Sequence, residues 1–286
     1  MPDFPIIDAH VHLWNPQLFR IPWLDDLDAI NRPFGPAEYR EHTQGVDVEA
    51  FVYVEVAVEP AYALLEAQWA DQVAGQEPRL RGIVAAAPLE YGEQIRYYLE
   101  ALAAIGPRVK GVRRLLQGEA DPNYCLRPEF VRGVRLLPEF GFSFDICIKH
   151  HQLAAAVELV RQCPATSFIL DHIAKPDIAN HLLDPWREQM RDLAALPNVV
   201  CKVSGMVTEA DQQGWMADDL APYVAHVLEV FGADRVLFGG DWPVVLLASS
   251  HARWVETLDA LTTQLAPEAR RKLWAENARR FYRLGQ

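Results

Sequence analysis

Two histidines one residue apart, His10-Val11-His12, are the first side chains in the chain whose types and spacing allow chemistry. On an extended chain a spacing of two puts both imidazoles on one side. Two neutral imidazoles converging in this way are a sound start for a divalent metal site. Alone the pair is a weak signal, because chance pairs are common. Its position directly after Ile6-Ile7-Asp8 gives it weight. His172 follows Asp171 at the end of an apolar run and is a candidate for metal, water or substrate contact. Asp241 stands in Gly239-Gly240-Asp241-Trp242-Pro243. A carboxylate there can take a proton from an attacking water, or it can cap a helix. The two glycines allow close backbone approach.

Other groups could serve the same chemistry. Arg113 and Arg114 are neighbours, so one points inward and the other outward; Arg113 is read as the inward one. A guanidinium can polarise a carbonyl or grip a carboxylate. Glu55 interrupts an apolar run and is either a ligand or acid/base group, or a structural partner of a cation. Asp171, equally isolated, needs an imidazole or arginine beside it. Of His150 and His151, one is a ligand or substrate donor and the other a loop or cap residue. Lys175 and Arg114 are further candidates for substrate contact. Lys202 faces inward or pairs with a carboxylate and is assigned no catalytic role.

These residues recur at the C-terminal ends of short apolar runs. The runs are 6–10, 50–57, 80–87, 109–115, 143–149, 167–172, 199–203 and 236–240. They alternate with segments of helical spacing. Near-continuous apolar strands fit a parallel sheet buried on both faces. No Gly-x-Gly-x-x-Gly turn follows any strand, which argues against a dinucleotide-binding open sheet. The pattern predicts a single-domain (β/α)8 barrel over residues 1–286, with its site at the C-terminal strand ends. Pro60, Pro128 and Pro185 mark helix starts, Asp184 an N-cap, and Gly232 a C-terminal stop. Residues 14–45 lack periodicity and read as a functional loop over the barrel mouth. Its Trp14, Trp23 and Tyr39 are candidate substrate contacts, though each is individually more typical of packing.

With 286 residues, half of them hydrophobic, the chain has material for one large core. A net charge of −12 argues against nucleic acid or an anionic membrane as partner. Cys125, Cys147, Cys163 and Cys201 form no Cys-x-x-Cys pair and read as small buried hydrophobes. No signal peptide or membrane span is apparent, so the expected location is the cytoplasm. A nucleophilic serine in a Gly-x-Ser-x-Gly elbow is missing, so water is the expected nucleophile. The oligomeric state is open.

The stretches I-I-D-A-H-V-H-L-W (6–14), G-V-R-R (111–114), L-D-H-I-A-K-P (170–176), C-K-V-S-G-M-V-T-E-A-D (201–211) and F-G-G-D-W-P (238–243) resemble the amidohydrolase superfamily. Within it they resemble the lactonase branch, which includes sugar-acid lactonases such as L-fuconolactonase and L-rhamnonolactonase. The resemblance implies a hydrolase that opens a small lactone. It implies His10, His12, His172 and Asp241 as metal ligands, with Asp241, His172 and Arg113 carrying catalysis. It implies one divalent cation, zinc in the first place, or no metal at all. A two-metal centre is disfavoured, because the fourth strand carries arginine where a carboxylated lysine would be sought. The alternatives are a metal-dependent non-oxidative decarboxylase on the same scaffold and a non-catalytic sugar-acid binding protein.

Overall fold

The computed structural model describes residues 1–285. Eight strands form one parallel sheet in sequential order: β1 (Ile6–Val11), β2 (Val48–Val54), β3 (Leu80–Ala86), β4 (Val109–Arg113), β5 (Ser143–Ile146), β6 (Phe168–Leu170), β7 (Val199–Val203) and β8 (Val236–Phe238). The ring closes beyond β8. There the Asp241 amide donates to the His10 carbonyl at 2.8 Å and the His12 amide to the Trp242 carbonyl at 2.7 Å. The fold is the (β/α)8 barrel that the alternating pattern predicts. The apolar runs extend past several strands because the residues beyond the last paired position are also buried.

The helices are α1 (Pro36–His42), α2 (Ala63–Ala74), α3 (Arg96–Ile105), α4 (Pro128–Leu136), α5 (Leu153–Gln162), α6 (Trp186–Ala194), α7 (Ala217–Phe231), α8 (His251–Leu261), α9 (Pro267–Arg271) and α10 (Asn277–Phe281). A wide turn over Lys272–Glu276 joins the last two. Two readings need correction. Asp184 does not cap α6; its carboxylate is held by the Arg187 guanidinium at 2.8 Å, and Pro185 stands before the helix. Residues 14–45 are not one loop over the mouth. Only the part around Pro22–Leu27 reaches the mouth. The rest folds back through a Trp14–Phe34 bridge into α1. Pro36 opens that helix and the Glu38 carboxylate accepts from the Gly35 amide at 2.9 Å, a start signal already present in the sequence.

Strand alternation sorts two cores. Phe51, Tyr53, Val112, Phe144 and Cys201 face the helices. Ile7, Val52, Val84, Ile169, Val200 and Leu237 fill the barrel interior, where Ala278 and Tyr282 of the C-terminal segment join them. All four cysteines are free and buried, as their apolar settings predict. Among the described residues no helix is long and apolar enough to cross a membrane.

Candidate active site

A polar column rises through the barrel interior. The Tyr282 hydroxyl donates to Asp145 Oδ2 at 2.5 Å, and Lys202 Nζ donates to the same oxygen at 2.7 Å. Lys202 Nζ also lies 2.9 Å from Asp171 Oδ1 and 3.2 Å from His10 Nδ1. Every member is buried. Such a column is tolerated because its charges alternate in sign; removing one member would strand its neighbours. Burial raises the Asp145 carboxyl to about 6 against the pull of Lys202. Asp171 is likewise opposed by burial, but Lys202 and His10 hold it well below the carboxylate range. Sequence reasoning gave Asp171 its imidazole and arginine and missed the column, which needs Lys202 and Asp145 to meet across the barrel.

At the top of this column the four residues picked from three distant strands meet. His10 Nε2 and His12 Nε2 are 3.1 Å apart. Asp241 Oδ1 lies 3.5 Å from His12 Nε2, 3.8 Å from His10 Nε2 and 3.9 Å from His172 Nε2. Each ring is oriented from behind. His12 Nδ1 is 2.8 Å from the Val54 carbonyl, which only accepts, so Nδ1 carries a proton. His172 Nδ1 meets Ser204 Oγ at 2.9 Å. His10 Nδ1 faces Asp171 Oδ1 at 3.3 Å and can donate to it. Burial keeps His10 neutral to well below its usual value, and brings His172 down to about 4. Burial would raise the Asp241 carboxyl, but His172, His12 and His10 outweigh it and hold it ionised.

The cluster therefore offers imidazole nitrogens and one carboxylate. A tetrahedral ion bonded at about 2.0–2.1 Å needs donors spaced about 3.3–3.4 Å. His10, His12 and Asp241 stand 3.1 to 3.8 Å apart, around that value, and His172 is 3.9 Å from Asp241. The chemistry of the donors at His10, His12 and Asp241 suits a divalent cation.

Backbone geometry at the site is unusual. His172, Ile173, Ala174 and Lys175 all have positive φ, from 47° to 61°, and so does Asp241 at 53°. Left-handed conformations cost an L-residue roughly 1–2 kcal/mol each, so the surroundings must hold them. The Trp186 indole donates to the Ile173 carbonyl at 2.7 Å, and Gly205 leaves room for the His172 ring where a Cβ would stand 2.5 Å from Nδ1.

The cluster opens into a cavity of about 510 Å³ walled by His12, His172, Asp241, Arg113, Lys175 and Trp23, among others. Arg113 points inward, as read. Its Nε donates to Glu55 Oε1 at 2.5 Å, one terminal nitrogen to the Glu55 carbonyl at 2.6 Å, and the other to Asp171 Oδ2 at 3.3 Å. Glu55 is thus a structural partner, its other oxygen accepting from the Ala57 amide. Lys175 Nζ pairs with Glu209 at 3.4 Å. Glu55 and five other expected substrate contacts do not line this cavity. Trp14 is buried with its indole bound to the Ile30 and Arg32 carbonyls. Tyr39 donates to Asp8 on the helix side of the barrel. Arg114 is held by Glu90 and Glu119 over a neighbouring hollow. His150 packs against the Lys175 carbonyl, and His151 is exposed. Aromatic and basic residue types in a mouth loop do not reveal which way each side chain turns.

A buried cluster of imidazoles and a carboxylate, at the C-terminal end of a parallel barrel and beside an arginine, defines a metal-hydrolase type of site. The chain belongs to the amidohydrolase family, whose model matches residues 7–284. An L-fucono-1,5-lactonase of Burkholderia multivorans is 31% identical over 298 residues, covering 97% of this chain and 96% of that protein. An L-rhamnono-gamma-lactonase of Scheffersomyces stipitis is 24% identical over 341 residues, covering 99% of this chain and all of the relative. A Burkholderia multivorans amidohydrolase solved with bound zinc has a TM-score of 0.89 at 30% identity, covering 99% of this chain and 100% of that one.

Proposed function

We propose that this protein opens a sugar-acid lactone to the free acid by attack of water on the lactone carbonyl, with Asp241 as general base. The observation that carries the reading is the convergence of His10, His12 and His172 nitrogens on Asp241 Oδ1 beside Arg113. The full-length similarity to named lactonases supports the substrate class. His10, His12, His172 and Asp241 would hold a single divalent cation, zinc in the first place. When bound, that cation supplies Lewis acidity toward a carbonyl and lowers the proton affinity of water.

The chain's own groups supply the rest. Asp241 is ionised, so it accepts a proton from water. Arg113 uses three of its five N–H groups on Glu55 and Asp171. The remaining two are suited to an oxygen on which charge develops. Asp241, once protonated, returns its proton to the departing ring oxygen. The four reduced and buried thiols suit the cytoplasm.

The test is a pH-indicator screen of aldonolactones with metal-replete and chelated protein, alongside Asp241→Asn. The expected result is acid release by the native protein and a loss of at least about 10³-fold in the variant, with circular dichroism unchanged. Release of CO2 from an aromatic acid without lactone turnover favours the decarboxylase reading. Tight binding without turnover favours a binding protein. Near-normal turnover by Asp241→Asn removes the base.

A further inference from the structure

We infer that the lactone taken by this cavity is neutral and carries an apolar substituent larger than methyl, with Trp23 as the residue that reads it. The inference rests on the lactonase reading and deepens it. The cavity is divided by chemistry. Its floor, at the strand ends, holds His12, Arg113, His172, Lys175 and Asp241. Its upper wall comes from the connecting segments and is hydrocarbon: Trp23, Leu27, Val58, Leu115, Val244 and Leu247.

Trp23 settles the character of that wall. The indole's single N–H is spent on the Val56 carbonyl at 2.6 Å. What it presents to the cavity is therefore a ring without a donor. The cationic groups are matched in charge by carboxylates. Arg113 is matched by Glu55 and Asp171, and Lys175 by Glu209. A substrate carboxylate would find no unpaired cation among the lining residues. Gln117 accepts from the Cys147 thiol at 3.6 Å and keeps its amide donors, and Glu59 is exposed. Ring oxygens can turn to the free N–H groups of Arg113 and Lys175 on the floor, whereas the upper wall offers a substituent only Gln117 and Glu59 as polar side chains. A buried hydroxyl without a partner is disfavoured. At about 510 Å³ the cavity has the volume of a small-molecule site.

The discrimination expected is moderate, because an apolar pocket rejects an added hydroxyl by about 10²-fold at most. The experiment uses the metal-replete full chain and δ-lactones sharing one ring but bearing methyl, n-propyl, n-pentyl, hydroxymethyl or carboxymethyl groups. The expected kcat/KM rises from methyl to propyl or pentyl by about tenfold or more. Hydroxymethyl and carboxymethyl fall below methyl. In Trp23→Ala the ratio of kcat/KM between the propyl and methyl lactones falls toward one, through KM on the propyl lactone. Turnover that is equal across the series, or best with hydroxymethyl or carboxymethyl, overturns this inference and leaves the lactonase reading standing. A selectivity that survives Trp23→Ala removes Trp23 as the reader. Absence of turnover on every lactone, aldonolactones included, overturns both.

Discussion

Glu66 sits on α2, buried, away from the histidine cluster. One carboxyl oxygen accepts from the Tyr53 hydroxyl and the Val56 amide, each at 2.7 Å. The other has no hydrogen-bond partner among the described residues. Burial, then the nearby Glu55 carboxylate, raises its carboxyl to about 8. The folded chain therefore keeps a proton that the unfolded chain releases near 4.3. Between those values the folded state binds more protons, so stability is full at low pH and is lost as pH rises toward 8. The slope is at most about 1.4 kcal/mol per pH unit. Glu66→Gln keeps an acceptor and cannot ionise. Urea unfolding at pH 5.5 and 7.5 should show native stability falling, and the variant's falling less by about 1–2 kcal/mol over the interval. An identical slope in both proteins would place the raised group elsewhere. The same logic of burial and partnership separates the site residues. His10, His12, His172 and Asp241 were legible because each breaks an apolar run at its end. For Tyr39, Trp14 and His150 the sequence left packing and substrate contact open, because residue type says nothing of the partner, and their partners are Asp8, loop carbonyls and the Lys175 carbonyl.

At the scale of elements, Asp8 shows what the histidine pair depends on. It lies on β1 and points away from the barrel interior. Its Oδ1 accepts from the His10 amide at 3.1 Å and the Gly240 amide at 2.7 Å. Its Oδ2 accepts from Tyr39 at 2.9 Å and His251 at 3.0 Å. One carboxylate thus joins β1, α1, the end of β8 and the start of α8. Gly240 makes this possible, since a Cβ there would meet Asp8 Oδ2 at 2.3 Å and His251 Nε2 at 2.6 Å. Gly240→Ala should cost about 1–3 kcal/mol from overpacking, lowering Tm by several degrees. It should also weaken zinc binding, because the displaced carboxylate steers the His10 backbone. Zinc titration and a thermal melt check it. An unchanged melt and affinity would mean that the junction gives way without cost. All eight strands were readable, because buried parallel strands are apolar along their length. The junction was not: Asp8, Gly240 and His251 are 232 and 243 residues apart along the chain, and a lone aspartate beside a histidine pair carries no sign of which way it faces.

For the molecule as a whole, the seam between first and last strands is the consequential feature. Seven strand pairs are joined by ladders. The eighth junction has no ladder of that length: two amide bonds around His10–His12 and Asp241–Trp242, which bring Val11 opposite Trp242, and the Gly240 amide on Asp8 hold it. The donor cluster lies across that seam, with His10 and His12 on one side and Asp241 on the other. A cation held there would link the two ends of the barrel, and His172 would add β6 to the link. Binding to the folded state alone stabilises by about 2.7 kcal/mol at a free concentration 100 times Kd. For a domain of this size that raises Tm by roughly 5–11 °C. Chelated protein should melt lower by this amount and recover with added zinc, and Asp241→Asn should show little of the increment. Because the link is local, hydrogen exchange should slow most at the His12 and Asp241 amides and least in the β3–β4 ladder. A melt indifferent to chelation and zinc would remove the cation from the seam. Protection spread evenly over all eight strands would show instead that the ion stabilises the barrel without acting as its closure.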